Sequence, residues 1–339
     1  MASKITVGII GAGRIGTVHA RTLAWRVPEA QVVAIADPDA AAVKRLAAEI
    51  GVQKALPDYH AILSDPSIQA VVICSSTDTH ATIIAEAAKA GKQIFCEKPL
   101  DLDLKRIDEV LPVVKKAGVK LMLGFNRRFD PDFARVQQIV ASGAIGKPEI
   151  LRITSRDPSP PPLAYVKVSG GLFLDMTIHD FDMARFVMGE VDEVYVTAAN
   201  LVDPAIAAAG DVDTALVSLR FASGAVGVID NSRRAVYGYD QRVEVLGSTG
   251  MVANGNHAND TAVISDAKGI HEPLPLNFFM QRYVAAYEAE AKAFVEAIVA
   301  DHEPPVTGFD GRQAILLGLA ARKSVAEGRP VKVAEVDRK

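Results

Sequence analysis

Cysteine is scarce: Cys74 and Cys96 are the only two in 339 residues, and each lies in an apolar run of the kind that forms a buried strand. That argues against a disulfide framework and points to a reducing compartment. No zinc-type ligand spacing occurs. An excess of one charge is also missing, since 37 Lys and Arg stand against 41 Asp and Glu for a net charge of −4, with no long run of either sign. A nucleic-acid or anionic-membrane surface is therefore not expected, and small neutral or mildly polar ligands fit better. No apolar stretch approaches the ~20 residues that cross a bilayer. The opening MASKITVGII enters its first strand too soon to hold a charged leader, an apolar core and a cleavage site. The expectation is a soluble, cytoplasmic protein without internal repeats or low-complexity segments.

What the chain does have is a glycine turn in a telling context. GAGRIG at Gly11 to Gly16 joins an apolar strand, Ile5 to Ile10, to a helical pattern. Gly11 permits a tight turn, Gly13 lets the backbone approach a diphosphate, and Gly16 allows close helix–strand packing. The helix start, with Arg14 and Ile15, offers amides to the phosphates. About 20 residues further on, Asp37 ends a second apolar run, Val32 to Ala36, where a carboxylate accepts the adenosine ribose hydroxyls. A 2′-phosphate there is repelled, and Pro38, Asp39 and Ala40 provide no Arg to receive it. NAD is expected over NADP, although FAD uses the same kind of turn.

At this length about two domains of ~150 residues are expected. Apolar runs at Ala70 to Cys74, Gln93 to Cys96 and Lys120 to Gly124 alternate with helical patterns near 39–50, 79–90 and 103–117. Such alternation predicts an α/β fold, a doubly wound parallel Rossmann sheet over residues 1–124. Ligands bind past the carboxyl ends of its strands, so Ser75 to His80 and Glu97 to Pro99 face the cofactor. Residues 125–339 read as an α+β substrate-binding and oligomerisation domain with a mostly antiparallel open sheet, with strands at 149–155, 193–198, 214–221, 225–232 and 241–247. Helices are expected at 131–142, 285–300 and 313–327. One sheet face is then covered by helices and the other is left to pair with another subunit.

Two constellations carry chemistry. Lys98, after a strand whose end opens onto the nicotinamide, places an ammonium near a reacting oxygen, with Pro99 suited to a cis bond that aims it. In GGLFLDMTIHDFDMARFVMG, Asp175, His179 and Asp182 are spaced i, i+4 and i+7 and share one face of a helix. A carboxylate one turn from an imidazole fixes its tautomer and favours its charged form, so His179 suits the role of base. An isolated DxxxH is also what a satisfied core histidine looks like. His with two carboxylates can bind zinc or manganese as well, but hydride removal needs only a base and a polarised oxygen.

Together, GAGRIG with Asp37, STDTH followed by CEKP, and GGLFLDMTIHDFDMARF resemble the glucose–fructose oxidoreductase/inositol dehydrogenase family, over nearly the whole chain. FNRRFDP at Phe125 to Pro131, SRDP at Ser155 to Pro158 and YGYDQR at Tyr237 to Arg242 are similar to its inositol-oxidising members. The resemblance implies NAD-dependent oxidation of myo-inositol to scyllo-inosose, with a same-family dehydrogenase for scyllo-inositol, glucose or xylose, or a non-catalytic NAD-sensing regulator, as the alternatives. It implies Lys98, Asp175 and His179 as the catalytic set, without a metal. Asn126, Arg127, Asp157, Asp182 and Tyr239 are implied to line a polyol pocket. Ser75, Thr77, His80, Glu97 and, from the second domain, Tyr283 are implied near the nicotinamide ribose. A homotetramer is implied too. One departure is Ser76, where many relatives carry Pro; it removes no functional group.

Overall fold

A computed structural model of the protein describes residues 4–337. The chain forms two compact units, one running to Phe129 and completed by Ala285–Gln313, the other comprising Asp130–Val284 and completed from Ala314 onward.

The first unit holds six parallel strands: β1 (Ile5–Ile10), β2 (Ala30–Ala36), β3 (Lys54–Leu56), β4 (Ala70–Ile73), β5 (Gln93–Glu97) and β6 (Leu121–Gly124). Their spatial order is β3-β2-β1-β4-β5-β6. The central strands are near-continuous apolar runs because helices cover both faces, and Val7, Ile9, Val71, Ile73 and Ile94 are fully enclosed. Each such side chain contributes about 1.5–3 kcal/mol of burial. The order reverses between β1 and β4, which puts the ligand crevice at the carboxyl ends of these two strands. Caps fix the flanking helices: Asp39 accepts the Ala41 and Ala42 amides at the start of Ala40–Ile50, and Asp103 accepts the Lys105 amide at the start of Leu104–Ala117. A cap of this kind is worth about 1 kcal/mol.

A single cut at residue 124 does not describe this division, because Ala285–Gln313 belongs with the parallel sheet. The physical reason is aromatic and backbone contact. Phe294 meets Phe95 edge-on at 5.7 Å between centroids, Tyr287 meets the His19 ring at 5.5 Å, and the Leu123 amide donates to Val306 O.

The second unit is built on β7 (Pro148–Arg156), β8 (Val191–Ala199), β9 (Thr214–Phe221), β10 (Val226–Ser232), β11 (Asp240–Gly247) and β12 (Gly250–Ala253). A separate hairpin, β13 (Ile264–Asp266) and β14 (Gly269–His271), and an edge strand, β15 (Val331–Lys332), complete the strands described. The main sheet runs β12-β11-β7-β10-β9-β8-β15, antiparallel except where β7 pairs with β10. Strict alternation along β9 buries Ala215, Val217, Leu219 and Phe221 and exposes Leu216, Ser218 and Arg220. Helices Pro131–Ala141 and Thr177–Met188 pack on the buried face. On the other face the register lines up Met251, Leu246, Ile150 and Val226 as direct cross-strand neighbours, each between 37% and 56% exposed.

Candidate active site

In the first unit the glycine turn links β1 to the helix Arg14–Arg26. Gly11 has φ 102°, and a Cβ there would stand 2.5 Å from Cys74 O; at Gly16 it would stand 2.0 Å from Gly11 O. Neither position admits a side chain. At Gly13 the same construction meets nothing within 4 Å, leaving space over the helix start. The first turn, at Arg14 and Ile15, contains no acid, so the positive end of the helix dipole is not offset there. Asp37 sits beside the turn: Oδ2 accepts the Ala12 amide at 2.7 Å and Oδ1 the Asp39 amide at 2.8 Å. Its remaining lone pairs suit ribose hydroxyls. Open space at Gly13, an uncompensated helix start and a fixed carboxylate fit a dinucleotide without a 2′-phosphate.

The loops after β4 and β5 are tied together by His80, which is 1% exposed. Its Nδ1 lies 2.8 Å from Pro99 O and its Nε2 3.1 Å from Ser75 O. Burial pushes this imidazole below its ordinary value, against the opposing pull of the Pro99 and Ser75 carbonyls. Ser75 is half-buried with its hydroxyl 2.6 Å from that of Thr79, and Thr77 opens the helix Thr77–Lys89. Ser76 has φ −69° and ψ 143°, the backbone a proline would impose, so its hydroxymethyl side chain leaves the loop shape intact. The Lys98–Pro99 bond is cis, as the sequence led us to expect. Glu97 points inward: Oε1 is 2.6 Å from His19 Nε2, and Oε2 accepts the Lys98 amide at 3.2 Å. Burial, with Glu97 adding, pushes the Cys74 and Cys96 thiols well up, so neither suits a nucleophile. Asn126 and Arg127 are buried in a single turn after β6.

In the second unit the expected continuous helix through Asp175, His179 and Asp182 is broken. One helix, Gly171–Asp175, ends at Asp175; the next, Thr177–Met188, carries His179 and Asp182. The break falls at Met176 (φ −98°, ψ −60°), whose carbonyl accepts the His179 amide three residues on. Asp175 therefore ends a helix instead of lying mid-face. Its Oδ1 accepts the Tyr165 hydroxyl at 3.0 Å, and its Oδ2 is 3.5 Å from Arg233 Nη2. His179 is half-buried, whereas Asp182 is 1% exposed. Asp157 follows β7 and is held through its backbone by Ser232 O and the Ala235 amide. Tyr239 and Tyr283 are both buried and meet edge-on at 5.9 Å.

Comparison with known proteins gives the family. A family model described as an oxidoreductase family with an NAD-binding Rossmann fold matches residues 5–125, and one described as a GFO/IDH/MocA C-terminal domain matches residues 133–253. The myo-inositol 2-dehydrogenase of Thermotoga maritima is 52% identical over 97% of this chain and 99% of its own. An inositol 2-dehydrogenase of Rhizobium meliloti is 49% identical over 97% of this chain and 99% of its own. The chain belongs to the GFO/IDH/MocA family of oxidoreductases. A crystal structure of a probable dehydrogenase from Thermotoga maritima, 52% identical, superposes with a TM-score of 0.96 over 98% of this chain and 99% of that one.

Three features of this GFO/IDH/MocA chain escaped sequence reasoning. His19, buried against Glu97, is signalled only by a lone polar residue on the inner face of the first helix. Arg233 and Tyr165, which flank Asp175, carry no local signal at all. Nor does the buried network beneath the His179 helix, in which Asn231 donates to Asp180 Oδ2 at 2.9 Å and to Ser155 O at 3.2 Å, and accepts from Thr177 at 2.7 Å. Leaving a buried partner unsatisfied costs roughly 1–3 kcal/mol, so such a network holds the helix in one position.

Proposed function

We propose that this protein oxidises myo-inositol to scyllo-inosose with NAD. What supports the reading most is the Asp175 carboxylate, held by Tyr165 and Arg233 one turn before His179, in a chain 52% identical to a myo-inositol 2-dehydrogenase over 97% of its length. NAD, when bound, supplies the acceptor for the hydride. Gly11, Gly13, Arg14, Ile15 and Gly16 hold its diphosphate, and Asp37 its adenosine ribose. Ser75, Thr77 and Tyr283 are assigned to the nicotinamide ribose, while His80 and Glu97 act by fixing the loops they bind.

His179 takes the hydroxyl proton, Asp175 orients the imidazole and stabilises its cation, and Lys98 hydrogen-bonds the reacting oxygen. Asn126, Arg127, Asp157, Asp182 and Tyr239 pair the remaining hydroxyls, so an epimer leaves a polar group unpaired and is rejected. The reading includes a cytoplasmic setting, which two free buried cysteines suit, and a homotetramer assembled through the exposed sheet row.

The test is NADH formation, followed in the near ultraviolet, with myo-inositol, scyllo-inositol, glucose and xylose, each with NAD and with NADP. Myo-inositol with NAD should be turned over, and His179→Ala should lower kcat by about 10²–10⁴-fold. Preference for another polyol moves the substrate within the family. Binding of NAD with no turnover of any polyol defeats the proposal and favours a sensor.

A further inference from the structure

We infer that Arg233 is a positioning residue for this oxidation, acting through Asp175; the inference rests on the role given to Asp175 above. Arg233 follows β10, is 1% exposed, and is fixed at its backbone by its amide, which donates to Asp213 O at 2.9 Å. Its guanidinium faces two carboxylates, with Nη2 3.5 Å from Asp175 Oδ2 and 4.0 Å from Asp211 Oδ2.

Nε and Nη2 are buried donors that make no direct hydrogen bond among the described atoms. A buried arginine serving only as a structural fixture is normally closed by carbonyls or by a bidentate carboxylate. Here the neighbours of Nη2 stand at ion-pair distance, so what Arg233 gives Asp175 is a charge.

The two carboxylates are themselves placed. Asp211 accepts the Leu172 amide with both oxygens, at 3.1 and 3.0 Å, and so anchors the start of the helix that ends in Asp175. Asp175 is gripped on Oδ1 by the Tyr165 hydroxyl and faces Arg233 with Oδ2. Without the guanidinium, Asp175 and Asp211 lose the cation that both of them face. Asp211 stays held by the Leu172 amide on both oxygens, whereas Asp175, at a helix end, faces Arg233 with Oδ2 and is the one to turn away. Displacing it misplaces the imidazole that it orients.

A double-mutant cycle on the full-length protein with NAD and myo-inositol tests this. Arg233→Met should lower kcat roughly 100-fold, the effect of a misplaced reacting group, with the Kd for NAD unchanged by fluorescence titration. Arg233→Lys, which keeps the charge, should regain about tenfold of that loss. In an Asp175→Asn background, adding Arg233→Met should change kcat by less than about twofold, because the group being positioned is already gone. Equal losses in the two backgrounds overturn the proposal, as does a folded Arg233→Met with wild-type kcat.

Should Arg233→Met not fold, Arg233→Lys and Tyr165→Phe form the cycle instead. Their losses are non-additive if both act on one carboxylate, and additive losses overturn the proposal. A wild-type protein that turns over no polyol defeats the functional reading itself, a result distinct from all of these.

Discussion

Asp37 holds the glycine turn in place and, on the proposed reading, also selects the cofactor. By accepting the Ala12 amide it fixes the glycine turn, and with what remains of its lone pairs it is placed to accept a ribose diol. Charge-assisted hydrogen bonds contribute about 1.5–3 kcal/mol, so Asp37→Ser should raise KM for NAD by roughly 10- to 100-fold while leaving kcat at saturation little changed. The preference for NAD over NADP should shrink as well. Steady-state kinetics with both cofactors decide it, and an unaltered NAD/NADP ratio would exclude Asp37 as the selector. The position of Asp37 at the end of β2 was legible in the sequence because it follows the apolar run Val32 to Ala36. Its bond to Ala12 was not, since no local pattern reports a contact made 25 residues away. Arg233 is the stronger case. It lies in no motif, and only the folded chain brings it to Asp175.

Among elements, the longer parallel strands and their helices were readable to within about two residues, because an enclosed strand has to be apolar throughout and the helical patterns fall between such runs. The short strands were not, since β3, β13, β14 and β15 have two or three residues and too little periodicity to detect. The break at Met176 was also missed: the pattern around Asp175 and His179 is helical on both sides, and spacing alone cannot register a hydrogen bond that shifts by one residue.

His80 gives this scale its prediction. In the folded chain burial holds its imidazole below the unfolded value of about 6.5, so on acidification through that value the unfolded chain takes up a proton that the folded chain refuses, and stability is lost. Thermal melts from pH 8 to pH 5 should show a falling Tm. In His80→Asn, which keeps a donor for one of the two carbonyls, the fall should be shallower. Parallel slopes for the two proteins would mean that His80 is not the titrating group.

At the level of the whole molecule the sheet of the second unit poses the plainest question. Met251, Leu246, Ile150 and Val226 form a continuous apolar row on its open face, which isolated exposed residues would not do. Light scattering on eluted wild-type protein should return a tetramer. Val226→Asp with Leu246→Asp should return a smaller species that still binds NAD, and a monomeric wild type would remove the row from consideration as an interface. The alternation of buried and exposed residues that creates the row was visible in the sequence, but which apolar residues align across strands depends on register, and register is settled only by pairing. The return of Ala285–Gln313 to the first unit has a different kind of consequence. The two compact units are not separable portions of the gene. A fragment ending at Phe129 would retain every glycine of the motif and Asp37, yet would leave Phe95 and His19 without the rings of Phe294 and Tyr287. Recombination that sets a different second unit beside this first one therefore needs three crossovers, after Phe129, Val284 and Gln313.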